Sequence, residues 1–246
     1  MDLEIFPGDE LEKESFMRRV NHDGCFTMDL DGEVVGYLSV QRFGEDEGHI
    51  GRIGVTPSHQ RKGLGTLLMK QAMEWFSEKA IKAVHLYTQD FNVPAQTLYK
   101  KFDFEVSGMT WHYFIPLTSL HPPGKYTCQE IQDHEINVIA DMFPSMPAAQ
   151  IQRFIDRETC LVLTLKNKHG DIVGAARFTP SFSGCMPFEI TSLEQFDDFV
   201  AGLDQFSQPG FEHRRLTFTD NHELAEFCEK RKYKLHHRLY KMTCIL

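Results

Sequence analysis

Gln60, Arg61, Lys62, Gly63, Gly65 and Thr66 form a short run whose residue types suit one task, the holding of a phosphate. Two glycines leave backbone N–H groups open to close approach, since no Cβ stands in the way. A helix starting there adds unsatisfied N–H groups and the positive end of its dipole. Arg61 and Lys62 bring full charges to the same place. The surrounding pattern supplies that helix. Ile50, Ile53 and Val55 lie in a β-prone run closed by Thr56-Pro57, and Leu64, Leu67, Leu68, Ala72, Trp75 and Phe76 then recur at helical spacing. Strand, basic glycine loop and amphipathic helix follow one another within residues 48–76.

Two nucleotide motifs fail on this loop. A Walker loop needs lysine directly after its last glycine, and Thr66 follows Gly65; a dinucleotide fingerprint needs a third glycine where Leu68 stands. What fits is Gln60-x-x-Gly63-x-Gly65 directly after Ile53-Gly54-Val55. This resembles the pyrophosphate loop of the GNAT superfamily of N-acetyltransferases. The resemblance implies acetyl-CoA as cosubstrate, with no metal. It implies that Gln60, Arg61, Lys62, Gly63, Leu64, Gly65 and Thr66 hold the pyrophosphate. Ile53, Gly54 and Val55 would offer backbone groups to the pantetheine arm, where the neighbouring strands are expected to splay.

Further elements follow in the order that family would require. Gly8–Val20 reads as a charged helix, and Cys25–Leu30 and Glu33–Gln41 as strands joined by the hairpin signal Asp31-Gly32. Ala83–Thr88 reads as a buried strand. Asn92-Val93-Pro94 opens a helix, with Ala95, Leu98 and Phe102 on one face and Tyr99 at its margin. Phe104–Leu117 is extended, and Trp75 and Trp111 are expected in the core. The implied fold class is α+β, layered α/β/α.

Beyond His121-Pro122-Pro123-Gly124 the chain repeats itself. Asp31–Gly36 recurs as His169–Gly174, 138 positions on, and Ile5-Phe6-Pro7 as Met142-Phe143-Pro144. Asn92 recurs as Asn221, after which Phe104 matches Tyr233, Trp111 matches Tyr240 and Leu117 matches Leu246, all 129 positions on. Nine residues are therefore missing from the second copy. Placing Val55-Thr56 on Ile190-Thr191 puts the gap over the glycine loop, since Ser192 runs straight into Leu193–Phe206. The expected domains are 1–117 (a GNAT acetyltransferase domain), a linker 118–125, and 126–246 (a degenerate GNAT-like domain without the loop). Each is expected as a mixed, largely antiparallel sheet flanked by helices. Tyr126–Ile131 and Ile136–Met142 supply the second copy with an opening strand and first helix; the first copy, starting at Met1, is expected to lack that strand and most of that helix, the alternative being that the chain is a shortened form of a longer protein. The second domain is expected to cover the side this leaves open.

Acetyl transfer needs a neutral amine and a protonated leaving sulfur. Tyr99, in Asn92-x-x-Ala95-x-x-Leu98-Tyr99-x-x-Phe102, matches the family block whose tyrosine reaches the coenzyme's sulfur, and an ordinary tyrosine keeps its proton at neutral pH. The second copy has Cys228 there, so the proposed acid disappears together with the loop. Asn92 is either a cofactor contact or a residue capping its own helix. His49, six positions before Val55, is the candidate base and would share a strand face with Gly51, Ile53 and Val55; an ordinary imidazole pKa near 6.5 suits the role. Glu47 and Asp46 are runners-up, or simply a solvated turn. His236 and His237 are expected on opposite strand faces, which disfavours a joint metal site.

Composition narrows the partners. The 246 residues carry a formal net charge of −9, which argues against a nucleic-acid backbone and favours a cationic acceptor. Six scattered cysteines without a C-x-x-C pair, no membrane-length apolar run and no signal-peptide profile point to a reduced, cytoplasmic protein away from membranes. The expected activity is N-acetyltransfer to a primary amine, on a small molecule or a peptide, by direct attack, in a monomer or homodimer. An acyl-CoA-binding sensor with little turnover is the alternative.

Overall fold

In the computed structural model, residues 23–43 and 45–246 are described. The helix expected over residues 8–20 and the Ile5-Phe6-Pro7 motif lie outside them. In chain order the elements are β1 (Cys25–Leu30), β2 (Glu33–Phe43), β3 (Glu47–Val55), α1 (Leu64–Glu78), β4 (Ala83–Gln89), α2 (Val93–Lys100) and β5 (Glu105–Pro116). Then come β6 (Thr127–Glu130), α3 (Ile136–Met142), α4 (Ala148–Ile155), β7 (Leu161–Lys166), β8 (Ile172–Thr179) and β9 (Gly184–Ile190). The chain continues through α5 (Phe196–Gly202), β10 (His213–Thr219), α6 (His222–Lys230) and β11 (Lys234–Ile245). Mixed sheets with flanking helices make this an α+β fold. None of the helices among the described residues is long and apolar enough to cross a membrane.

The repeat is visible in the elements. β5 and β11 have bounds 129 positions apart at both ends, and Asn92 and Asn221 cap α2 and α6 in the same way. The Asp31-Gly32 turn has φ of 53° and 83°, the two positive values that a two-residue hairpin favours.

The compact units depart from the expected boundaries at 117 and 126. One unit comprises residues up to Gly108 together with Leu239–Leu246, and the other comprises Met109–Arg238. In the first, the strand order is β1-β2-β3-β4-β11. Leu239–Ile245 of β11 runs antiparallel to β4, from Leu239 opposite Gln89 to Ile245 opposite Ala83. In the second the order is β5-β10-β9-β8-β7-β6, with His213–Thr219 antiparallel to Pro116–Thr110. The closing strand of each repeat thus finishes the sheet of the other. Duplication explains why the sequence does not show this exchange: the two strands carry matching patterns, and a pattern states that a strand has a buried face, not which sheet receives it.

Packing follows the exchange. Met242 and Cys244 of β11 are buried with Leu38, Ile50, Phe76, Leu86 and Tyr99 in the first unit's core. Trp111, Tyr113 and Ile115 of β5 join Phe188, Phe199 and Phe218 in the second. Trp75 and Trp111 are both buried. Leu67, expected on the inner face of α1, points outward at 52% exposure.

Candidate active site

The first unit presents the loop at the start of α1. Thr56 closes β3, a single 3-10 turn covers Pro57–His59, and Gln60 folds back so that its Nε2 donates to the carbonyl of Val55 at 3.0 Å. Arg61 and Gly63 have positive φ, 60° and 83°, and Gly63 is the N-cap of α1 without any side-chain cap. Helical bonding starts with the N–H groups of Thr66 and Leu67, both donating to the carbonyl of Gly63 at 3.0 and 3.2 Å. The N–H groups of Arg61, Lys62, Gly63, Leu64 and Gly65 have no protein acceptor among the described residues. Left-handed residues alternating with others turn successive N–H groups to one side, which is the geometry of an anion-binding nest. Arg61 and Lys62 are exposed and in no ion pair among the described residues. Gly65 has a packing role, for an added Cβ would come 3.1 Å from Leu98 Cδ2.

Beside the loop the sheet opens. β3 and β4 pair in parallel from Glu47–Ala83 to Ile50–Leu86 and no further, although both strands continue. On its other edge β3 stays paired with β2 up to Gly36–Val55, and Thr56 N–H donates to Val35 O at 2.9 Å. Antiparallel pairs alternate in the edge they use, so Gly54 bonds toward β2, while Ile53 and Val55 turn N–H and C=O toward the opening. One of these groups, the Val55 carbonyl, is taken by Gln60.

A β-bulge at Gly51 changes which side chains share a face. Ser39 pairs with Arg52 and Val40 with Ile50, so Gly51 has no partner of its own. Ile50, Ile53 and Val55 all pack on the core under α1. Gly48 faces that core too, where a Cβ would lie 2.4 Å from Phe76 Cε1. His49 therefore points to the opposite side, with Gly51 (an added Cβ there is 3.9 Å from His49 Cδ2) but not with Ile53 and Val55 as expected. An extra residue shifts the two-residue period, and sequence alternation alone does not show it.

His49 Nδ1 donates to the main-chain carbonyl of His85 at 3.1 Å, which leaves Nε2 as the lone-pair nitrogen of the neutral ring. Burial pushes its pKa down to about 4, with the neighbouring His85 adding to the effect and its backbone bond opposing it. The ring is thus neutral at physiological pH and a weaker base than an unperturbed histidine. Tyr99 is buried at 7% exposure rather than marginal, packs against Phe104, and is pushed up to about 12 by desolvation. It keeps its proton under any working condition. Asn92 Oδ1 accepts from Ala95 N–H at 3.2 Å, and Asn221 does the same for Leu224 at 2.9 Å in the half without the loop. Helix capping therefore accounts for Asn92 without a ligand. Asp46 is ion-paired with Lys82 at 2.8 Å, and Glu47 is exposed.

Sequence reasoning missed His85 and Tyr87. They alternate with the buried Val84 and Leu86, so they share the face that carries His49, whose ring centroid lies 5.8 Å from that of Tyr87. The alternation in Ala83–Gln89 was the available signal. Thr243 Oγ1, 2.9 Å from His85 Nδ1, had none, since only the strand exchange brings it there. A shallow cavity lined by Asp23, Gln41, Arg42, Trp75 and Lys79 lies at the other end of α1 from the loop.

The second unit has no counterpart of the cradle among its described residues. After β9, Ser192 and Gln195 form a capping box, and the N–H groups of Thr191 and Ser192 both donate to Gln195 Oε1 at 3.0 Å. His236 and His237 were expected on opposite faces, yet their rings lie 3.7 Å apart, reaching Phe114 and His112 respectively. Those two belong to one face of β5, so the two-residue alternation is broken at the start of β11. No cluster of three metal-ligating side chains occurs among the described residues.

Comparison with known proteins agrees with this geometry. Residues 2–104 match the acetyltransferase (GNAT) family model. Streptothricin acetyltransferase from Escherichia coli is 32% identical over 85 residues, 35% of this chain and 49% of that enzyme, so the chain spans about half of that relative's length. Among solved structures, a GCN5-related N-acetyltransferase from Sphaerobacter thermophilus superposes with a TM-score of 0.70 at 16% identity, covering 97% of this chain and 87% of that one. A tandem GNAT protein from the clavulanic acid biosynthesis pathway gives a TM-score of 0.60 at 14% identity, over 89% and 81% respectively. At these identities the structural likeness concerns the fold, and it extends through both halves of the chain.

Proposed function

From the match of residues 2–104 to the acetyltransferase (GNAT) family model, we propose that the chain is a member of that family and an acetyl-CoA-dependent N-acetyltransferase with one site, in the first unit. The cradle carries the reading: consecutive N–H groups from Arg61 to Gly65 at the start of a helix, beside an open strand edge. The N–H groups and two cations would hold the diphosphate, and Ile53 and Val55 would bond the amide-bearing arm. Bound there, acetyl-CoA supplies an activated acyl group as a thioester. Gly51 and Gly54 keep the bulged strand free of side chains where that arm would lie. A neutral imidazole on that face, His49 or the neighbouring His85, would take a proton from the incoming amine, and Tyr99 would donate a hydrogen bond to the leaving sulfur. The acceptor is proposed as a primary amine, on a small molecule or a peptide, which the acidic chain would attract as an ammonium.

The second reading, an acyl-CoA sensor, is favoured by the same two groups: a base lowered to about 4 and an acid raised to about 12 are both far from neutral pH. Free-thiol release from acetyl-CoA across an amine panel, combined with a thermal shift on adding acetyl-CoA alone, decides between them. Stabilisation with amine-dependent thiol release supports the enzyme, and stabilisation without release supports the sensor. No stabilisation by acetyl-CoA rejects both.

A further inference from the structure

If the first unit acetylates an amine, as just proposed, a proton must leave the ammonium and reach solvent. The Nδ1 hydrogen of His49 is bonded to the main-chain carbonyl of His85, an acceptor that passes no proton on. The neighbouring ring is wired differently. His85 stands beside His49 in the parallel register of β3 and β4, at the last pairs before the strands part. Its Nδ1 lies 2.9 Å from Thr243 Oγ1, Thr243 Oγ1 lies 2.6 Å from Ser107 Oγ, and Ser107 is exposed. A half-buried imidazole is thus joined to solvent through two hydroxyls, each able both to donate and to accept. Ser107 Oγ also reaches the carbonyl of Lys241 at 3.4 Å, a long contact that leaves the shorter bond to Thr243 dominant.

We propose that His85 accepts the proton of the acceptor amine, and that Thr243 and Ser107 are positioning residues that hold its ring and carry the proton out. The transfer balances without any other reagent. The amine N–H breaks as an N–H forms at His85 Nε2. The Nδ1 hydrogen then passes to Thr243 Oγ1, the Thr243 hydroxyl hydrogen to Ser107 Oγ, and the Ser107 hydrogen to water. Before the next turnover the Nε2 hydrogen passes to water in the emptied acceptor site and a proton from solvent returns through Ser107 and Thr243 to Nδ1, which restores the first tautomer. Burial lowers the His85 pKa first, Lys241 on β11 lowers it further, and Glu47 on β3 opposes them; among the described residues His49 on β3 and Tyr87 on β4 also carry titratable groups on that face. The arrangement depends on the exchange of closing strands. Thr243 lies on β11, and its counterpart in the first repeat, 129 positions earlier, is Phe114, which has no hydroxyl.

The test uses the full chain with acetyl-CoA and an amine that supports thiol release. Thr243→Val, nearly isosteric, should lower kcat about 5- to 20-fold, leave the KM for acetyl-CoA unchanged and shift the acidic limb of the pH profile; Thr243→Ser should restore most of the rate. Ser107→Ala, at an exposed site, should lower kcat about 3-fold or more in the same direction and serves if the Val variant folds poorly. His85→Gln should remove the limb. Nitrogen NMR of the His85 ring gives an independent reading: its tautomer balance and titration should change in Thr243→Val. Wild-type kcat and pH profile in both hydroxyl variants, or a limb lost only in His49→Gln, overturns the proposal. If the wild-type protein binds acetyl-CoA but releases no thiol with any amine, the enzymatic reading has failed by itself. An unchanged His85 spectrum in Thr243→Val then also overturns the hydroxyl link.

Discussion

Gly65 on α1 and Leu98 on α2 are in close contact, so that a methyl group at 65 would meet Leu98 Cδ2 at 3.1 Å. Gly63, two positions earlier, has open space around its missing Cβ and a φ of 83°. The two glycines of one motif therefore serve different needs, helix packing at 65 and a left-handed backbone at 63. Gly65→Ala should cost stability, about 1 kcal/mol as Leu98 gives way, with acetyl-CoA affinity nearly intact. Gly63→Ala should strain the turn by about 1–2 kcal/mol and weaken acetyl-CoA roughly tenfold. Paired thermal melts and calorimetric titrations separate the two; equal affinity losses would contradict the division.

Arg61 also has positive φ, at 60°, so Arg61→Gly removes the charge without disturbing the turn. Affinity for acetyl-CoA should fall about 3- to 10-fold at low ionic strength, and the gap to the wild type should shrink near 1 M salt, where the screening length is about 3 Å. Lys62→Gln should behave alike. A salt-independent loss would mean that shape, not charge, was removed.

Tyr99→Phe keeps the buried ring and removes only the hydroxyl. If that hydroxyl serves the leaving sulfur, kcat should fall about 10- to 100-fold while acetyl-CoA binding and melting temperature change little. Steady-state kinetics beside a melting curve tests this, and an unchanged kcat removes Tyr99 from the chemistry.

Acid should destabilise the fold between pH 6.5 and 4. His49 and His112 are both lowered from 6.5 to about 4, chiefly by burial. They stay neutral in the native state while the unfolded chain takes up protons. Their contribution is full above pH 6.5 and is lost as the pH falls toward 4. His112→Phe, which also removes a buried Nε2 without a partner, should flatten the fall in melting temperature over that range. An identical slope would exclude His112 as a cause.

Met242 of β11 is fully buried in the first unit. Met242→Ala should cost about 2–5 kcal/mol and raise hydrogen exchange in β4, the strand it borders, before exchange in β7 and β8. A fragment of residues 1–117 lacks β11 altogether and should be insoluble or inactive. A soluble, fully active fragment would show that the borrowed strand is dispensable.

Much of the fold was legible because local chemistry dictates it. Asp31-Gly32 announces a tight hairpin, Asn92 a helix start, and Gln60 to Gly65 a loop that opens a helix. The repeat disclosed the second fold and its missing cradle. What escaped was non-local or out of phase. One extra residue at Gly51 turned His49 away from Ile53 and Val55. Tyr99 went from margin to core because Phe104 and β11 pack around it, and Thr243 reached His85 through a strand exchange that matching patterns conceal. Periodicity reports which side of a strand is apolar and is silent on which neighbour it meets.

The exchange also orders events during synthesis. The first sheet cannot be closed until residues 239–245 leave the ribosome, at least 130 codons after Gly108 has been added. At about 5–20 residues per second that is a wait on the order of ten seconds. Throughout it, β4 has an exposed edge where nascent chains from neighbouring ribosomes could pair. The half that is translated first is the half that is finished last.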